Sequence, residues 1–404
     1  MNTVLGLRPQ AAAHLDTLQQ RLGEALFARV AGPEGPAHRQ QFHARPGPRW
    51  FAADRPIRQV HGDAAMFVGG LRALLLQSLH PVAMTAVAQH SDYRNDPWGR
   101  LQRTSTFLAA TTYGAAEDAD RAVEQVRRVH RHITGTGPDG QPYRADDPHL
   151  LRWVHVAETD SFLRCHQHYG VRPLDEAGCD AYVADTAIIA LALGVPDPPR
   201  TRAELEAMLR DYRPELRATP DALAAARFLV RNPPLPLLAR GPYAVLAAAA
   251  IAELPAWARR ELRLPRLPGA EPVLVRPAGH AIVSVIRWAL RPGRPERDDD
   301  SRRGRAGGAN IAALLVAIRG VRRRSIRAVV GFLRRRYVAE VRDRPFLQRA
   351  QRLAQGAARL GERVLDADRN FGVHGAAYEP VPFEPAESLG EHLVGDTLNA
   401  SVQL

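Results

Sequence analysis

Apolar residues along the first 290 positions recur at helical spacing, and the alternation typical of β-strands is nearly absent. Residues 63–90 are apolar almost all round, which predicts a buried helix that Pro81 kinks or divides. Residues 116–134 carry an apolar stripe and predict an amphipathic helix that Gly135 ends. Further helices are predicted over residues 98–112, 147–169, 175–194, 202–211 and 219–229, and in the segments RNPPLP and PYAVLAAAAIAELPAW. The pattern therefore predicts an all-α domain.

Most of the net positive charge comes from one stretch near the C-terminus. The formal net charge is +12, and the stretch from Arg302 to Arg336 holds eleven arginines and no acid. Apolar residues at helical spacing within it predict an arginine-rich amphipathic helix, preceded by a Pro/Gly- and charge-rich linker over residues 291–309. Three interpretations of this helix stay open: docking on the main domain, contact with an anionic membrane surface, and nucleic-acid binding. No recognised nucleic-acid module accompanies it, so no specific nucleic-acid partner is expected.

The composition excludes several kinds of chemistry. All 55 basic residues are arginine, so Schiff-base and P-loop lysines are excluded. The two cysteines, Cys165 and Cys179, cannot form a disulfide framework or a four-thiolate metal site. No secretory signal pattern begins the chain, and the apolar stretches fall short of a spanning helix. The expected location is the cytoplasm, with membrane association through the arginine-rich segment as an option.

Two histidines on the helix predicted over 116–134 point in different directions. His130 belongs to the apolar stripe and His132 does not. A histidine on an apolar face is either a core residue with satisfied hydrogen bonds or a ligand to a metal or haem iron, and the pattern leaves both open.

Two further sets of polar residues share helical faces. His155 and Glu158 are three residues apart, which suits a metal, but no Glu-x-x-His motif exists in the chain, so a buried hydrogen-bonded pair is favoured. His166 and His168, near the end of the same helix, are expected at the surface. Arg100 and Thr104 share a face with Arg103 one step round the helix, so Arg100 is either exposed or paired with an anion. Arg100, Arg103 and Thr104 are therefore candidate site residues, as the histidines are.

Several phrases taken together resemble the family of MpaB-type and rubber-oxygenase (latex-clearing protein) domains. They are LLLQSLHPVAMTAVAQHSDYRNDPWGRLQRTSTFLAATTYG, VRRVHRHITG, YRADDPHLLRWVHVAETDSFL and LPAWARRELRLP, and their order and spacing match over about residues 50–290. The resemblance implies a globin-reminiscent helical bundle around a haem b pocket. It also implies an oxygenase that uses O2 on a lipophilic, isoprenoid-like alkene.

The resemblance also implies roles for single residues. His130 matches the proximal haem ligand. Arg100, Arg103 and Thr104 match the distal segment and are the expected catalytic residues, with Arg100 also expected to bind the haem; the rubber oxygenases have lysine at the position of Arg103. Lower-ranked polar residues of the pocket are His90, His155 and Glu158.

The expected domains are an N-terminal segment (1–49), the haem domain (50–290), the linker (291–309) and a helical extension (310–404). The alternative is a non-catalytic haem-binding or haem-free helical protein that acts at a membrane surface through its basic tail.

Overall fold

A computed structural model describes residues 7–291 apart from positions 267 and 270. Its α-helices are α1 (Leu7–Ala31), α2 (Gly35–Ala44), α3 (Pro56–His61), α4 (Met66–Gln77), α5 (Pro81–His90), α6 (Pro97–Tyr113), α7 (Ala116–His132), α8 (Pro148–Tyr169), α9 (Glu176–Leu193), α10 (Arg202–Asp211), α11 (Pro220–Arg231), α12 (Leu237–Glu253), α13 (Ala256–Glu261) and α14 (Arg276–Ala289). A 3-10 turn covers Arg213–Glu215, and a π-helical turn covers Glu271–Val275. Two short strands, β1 (Thr134–Thr136) and β2 (Pro142–Arg144), form an antiparallel hairpin. The predicted all-α class is confirmed.

These residues belong to one compact unit. The linker, the arginine-rich helix and the C-terminal extension of the sequence analysis lie outside the described residues. The domain boundaries therefore stay predictions.

Local sequence signals start and stop several helices. The side chains of Asp96 and Asp147 accept hydrogen bonds from the backbone N–H groups of Gly99 (2.9 Å) and His149 (2.8 Å) at the starts of α6 and α8. Each is followed by a proline, whose missing N–H costs nothing in the first turn. Gly194 ends α9 at φ 106°, a left-handed conformation that favours glycine.

The apolar run over residues 63–90 divides at Pro81, as predicted. It forms α4 and α5, which are bent by 105° relative to each other. Within the described residues no single helix is long and apolar enough to cross a membrane, and only this bent pair reaches the required length and composition together.

The centre of the core is the packing of α4 along α8. Leu75 and Trp153 are completely buried there. Between the same helices lies Arg72, which is also completely buried; it donates to Asp160 (2.7 Å) and Ser161 (2.6 Å) of α8 and to the carbonyl oxygen of Glu253 (2.9 Å). The buried cation is therefore fully satisfied by an acid and two further oxygens.

Helices α6 and α7 form a hairpin with only Gly114 and Ala115 between them. Helices in contact across so short a connection run antiparallel. Arg100, in the first turn of α6, and His130, in the last turn of α7, therefore lie towards the same end of the hairpin. We call this end, opposite to the connection at Gly114, the open end. The other end is tight, because a Cβ atom on Gly114 would lie 2.5 Å from the carbonyl oxygen of Ala110.

Candidate functional site

His130 lies at the open end of the hairpin, on the inward face of α7. Its side chain is 6% exposed, and its carbonyl oxygen accepts the N–H of Ile133 at 3.1 Å. Val129 and Ile133 on either side pack with Ala86 of α5 and Tyr143 of β2. The end of α5, the end of α7 and the β-hairpin thus converge around His130.

His132 differs from His130 as the stripe predicts. It is exposed, and its Nδ1 lies 2.7 Å from the carbonyl oxygen of Arg128 on the same helix. Only His130 points into the protein.

The hairpin of β1 and β2 brings an acid, Asp146, close to His130. Two 2.9 Å hydrogen bonds from Arg144 lower the pKa of Asp146 most strongly, and His130 is near enough to lower it further. The sequence does not reveal this neighbour, because Asp146 reaches His130 only after β1 and β2 fold back.

Arg100 faces the end of α5. Its Nη1 donates to the hydroxyl oxygen of Ser91 at 2.9 Å, and burial, with the charge of Arg103, lowers its pKa to about 10. The guanidinium therefore stays charged at neutral pH. Thr104 donates its hydroxyl proton to the carbonyl oxygen of Arg100 at 3.1 Å, so its oxygen is left as an acceptor.

Arg103 forms an ion pair with Asp96 at 3.3 Å, at the start of its own helix. Its Nε is buried and has no hydrogen-bond partner within the described residues. Arg103 also lines a cavity of about 430 Å³ with Phe107 and Val126, between the α6–α7 hairpin and the connection from α1 to α2. Val126 lies one helical turn before His130, so this cavity adjoins the same stripe of α7.

The expected hydrogen-bonded pair of His155 and Glu158 is wrong: among the described residues no hydrogen bond joins them. His155 Nδ1 instead lies 3.5 Å from the hydroxyl of Thr159, and its buried Nε2 has no hydrogen-bond partner in the described part of the chain. Burial lowers the pKa of His155 to about 4 and raises that of Glu158 to about 7. Both residues nevertheless keep some accessible surface, so we infer that they border a space inside the protein.

A polar chain that sequence reasoning missed lies beside Glu158. His61 Nδ1 is 2.9 Å from the Thr112 hydroxyl, and His61 Nε2 is 3.3 Å from the Tyr182 hydroxyl. Burial and the nearby charge of Glu158 raise the pKa of Tyr182. Burial lowers the pKa of His61 to about 3, so its ring is neutral. His61 ends a six-residue helix and carries no motif, so no sequence signal could have found it.

The other candidate histidines divide between interior and surface. His90 ends α5 with a buried Nε2 that has no partner among the described residues, and its ring lies 6.4 Å from that of Tyr143. His168 is exposed, as expected. The same expectation for His166 is wrong: it is 1% exposed, because it shares the buried face of α8 with Tyr169.

Replacing Glu158 with glutamine is expected to change how stability depends on pH. The pKa of Glu158 is raised in the folded state, so its contribution to stability is present below pH 4.5 and lost as pH rises through about 7. Glu158→Gln cannot ionise, so its stability relative to wild type should rise by about 3 kcal/mol between pH 4.5 and pH 8. Urea unfolding at both pH values measures this gain, and the exposed Glu24→Gln is the control. If Glu158→Gln and wild type differ in stability by the same amount at both pH values, the raised pKa of Glu158 is wrong.

A family model described as "ER-bound oxygenase mpaB/B'/Rubber oxygenase, catalytic domain" matches residues 58–288, more than half of the chain. The match defines this part of the chain as an oxygenase catalytic domain. The chain belongs to the mpaB/rubber-oxygenase family. Among curated proteins and among solved structures, none matches this chain. The family defines O2 and an organic substrate as the reactants.

Proposed function

We propose that this protein is a haem b-dependent oxygenase that acts with O2 on a lipophilic, isoprenoid-like alkene. The observation that carries the proposal is the buried His130 in the last turn of α7, in a chain of an oxygenase family, with Arg100 in the first turn of the neighbouring α6. Haem would supply the O2 chemistry, and the protein would supply its ligand, its orientation and the pocket.

The residues present fit a haem group. His130 is a buried imidazole on an apolar helical face, which suits a ligand to haem iron, and the charge of Asp146 interacts with it electrostatically. The buried nitrogens of His90 and Arg103 without partners among the described residues are donors available to a bound group. A partly open cavity of about 430 Å³, lined by Arg103, Phe107 and Val126, adjoins the stripe of α7 that carries His130.

We assign the distal side of the pocket to Arg100 and Thr104. The Arg100 guanidinium would donate hydrogen bonds to the reacting oxygen atoms, while Ser91 holds it in place. Thr104 would accept a hydrogen bond from a donor in the pocket, since its own proton is engaged. His155 and Glu158 would border the space beyond.

An absorption spectrum with haem analysis, on protein expressed with haem supply, tests the proposal. We expect a Soret band and one haem per chain. The ferric spectrum should shift on addition of imidazole, because Arg103 offers no lone pair to iron and is already paired with Asp96. Colourless protein with full helical content would contradict the proposal. A six-coordinate low-spin spectrum that ignores imidazole would contradict the assignment of the distal side.

Replacing Arg100 with alanine is expected to leave haem content unchanged and to lower turnover about a hundredfold, the usual effect of losing one positioned donor at a reacting oxygen. Oxygen uptake with a dispersed isoprenoid alkene, alongside the ratio of haem to protein, measures both effects. Arg202→Ala, on the exposed face of α10, should match wild type. Full turnover in Arg100→Ala would remove Arg100 from the reaction.

The membrane remains a proposed partner through residues 302–336. Clustered arginines attract anionic lipid, and the family description includes ER-bound members.

A further inference from the structure

We propose a second metal site, separate from the haem site, in which His80, His149 and Glu215 bind a divalent transition-metal ion such as Zn²⁺. One ligand atom from each of these residues lies within 4.8 Å of the others. Two imidazoles and one carboxylate are a common ligand set for Zn²⁺, and three protein ligands leave the fourth position open for water.

The three residues come from separate parts of the chain that the fold holds together. His80 is at the corner between α4 and α5, His149 is in the first turn of α8, and Glu215 ends the 3-10 turn. The backbone N–H of Arg217 donates to the carbonyl oxygen of Leu79 at 2.9 Å, which fixes the chain after Glu215 against the residue before His80. The arrangement is therefore built by tertiary contacts.

The distances suit a single ion. Glu215 Oε2 lies 2.9 Å from His149 Nε2 and 3.4 Å from His80 Nε2. Two ligand atoms on a tetrahedral zinc ion with bonds of roughly 2.0–2.1 Å lie roughly 3.3 Å apart. A small movement of each side chain would complete the coordination.

His149 offers a ring nitrogen to an ion shared with Glu215. Its Nε2 lies 2.9 Å from a carboxylate oxygen of Glu215. The Tyr212 hydroxyl donates to the carbonyl oxygen of His149 at 2.8 Å, and its oxygen lies 3.4 Å from His149 Nδ1. With the ring proton on Nδ1, the lone pair of Nε2 would face the carboxylate and bind the metal, and Tyr212 would orient the metal-bound ring.

His80 is the buried ligand. It is 4% exposed, and its Nε2 has no hydrogen bond among the described residues although it points towards Glu215. Its Nδ1 accepts only a long contact from the N–H of Ala83, at 3.4 Å. Metal binding at Nε2 would place the ring proton on Nδ1 and give up this weak contact with Ala83.

The site is distinct from the one around His130. His80 begins α5 and His90 ends it, so the length of the helix, about 15 Å, separates the two. His149 and Glu215 are half exposed, which gives an ion access from solvent.

Zinc binding to untagged, full-length protein tests the inference. The haem-loaded protein is stripped of loosely bound metal with a chelator and titrated with Zn²⁺ by equilibrium dialysis. We expect one Zn²⁺ per chain, with affinity lowered at least tenfold in His149→Ala and in Glu215→Gln. His280→Ala, which removes an exposed histidine elsewhere, should bind as wild type does. X-ray absorption at the zinc edge should show two imidazole ligands.

Three outcomes would overturn the site. In the first, wild type binds no more Zn²⁺ than Glu215→Gln does; in the second, His280→Ala loses as much Zn²⁺ affinity as His149→Ala; in the third, the zinc edge shows no imidazole ligands. The first result would leave a His149–Glu215 ion pair as the explanation of the contact. Circular dichroism confirms folding of each variant. The ratio of haem to protein is measured on the same samples, so failure of the zinc site and failure of the haem proposal are separate results.

Discussion

His130→Ala is expected to abolish stoichiometric haem binding, whereas His132→Ala should leave it intact. His130 is buried on the apolar stripe of α7, and His132 is exposed and held by a carbonyl of its own helix. An imidazole on the inward face can reach an enclosed iron, and one on the outer face cannot. The ratio of Soret absorbance to protein, calibrated as pyridine haemochrome, measures the difference.

The pair of variants separates loss of a ligand from loss of the fold. Free imidazole added to His130→Ala should restore part of the haem spectrum, because the truncated side chain leaves room for it. Equal haem loss in both variants, or normal haem content in His130→Ala, would refute the assignment of the proximal ligand.

Arg72→Met is expected to lower the free energy of unfolding by about 3–5 kcal/mol, because it leaves Asp160 without its buried cation. Methionine fills similar space, so the loss reports the charge more than the packing. The midpoint of urea unfolding at equal haem loading measures it. Arg202→Met, in an exposed pair with Glu206, should cost no more than about 0.5 kcal/mol.

A double variant checks the cause. Arg72→Met with Asp160→Asn should be more stable than Arg72→Met alone, since no uncompensated charge remains in the core. If the double variant is less stable, or if Arg72→Met costs under about 1 kcal/mol, the buried ion pair does not have the assigned role.

Long helices with strong signals could be predicted from the sequence. The division at Pro81 and the starts of α6 and α8 follow from a proline and an Asp-Pro pair. The hairpin of β1 and β2 could not be predicted, because three-residue strands are too short to show alternation. Helices α1 and α2 were also outside the predicted set, and the apolar row of α1 stays partly exposed, as Leu18 at 48% shows.

The candidate site could be predicted only in part, because contacts between different helices decide which side chains meet. Face arguments within one helix separated His130 from His132 correctly. They failed for His155 and Glu158, because a shared face does not fix which partner a side chain finds across the core. The β1–β2 hairpin brings Asp146 near His130, and α3 brings His61 into the interior; a one-dimensional pattern contains neither path.

Because only Gly114 and Ala115 connect α6 to α7, the backbone angles there set the angle between the two helices. Each helix has 17 residues and is about 25 Å long, so a change of roughly 5° in that angle moves the far ends by roughly 2 Å. Arg100 and His130 sit at those far ends. Any side chain added at Gly114 would press on the carbonyl oxygen of Ala110. A resulting change in the angle between the helices would displace Arg100 and His130 the most, because they lie farthest from Gly114.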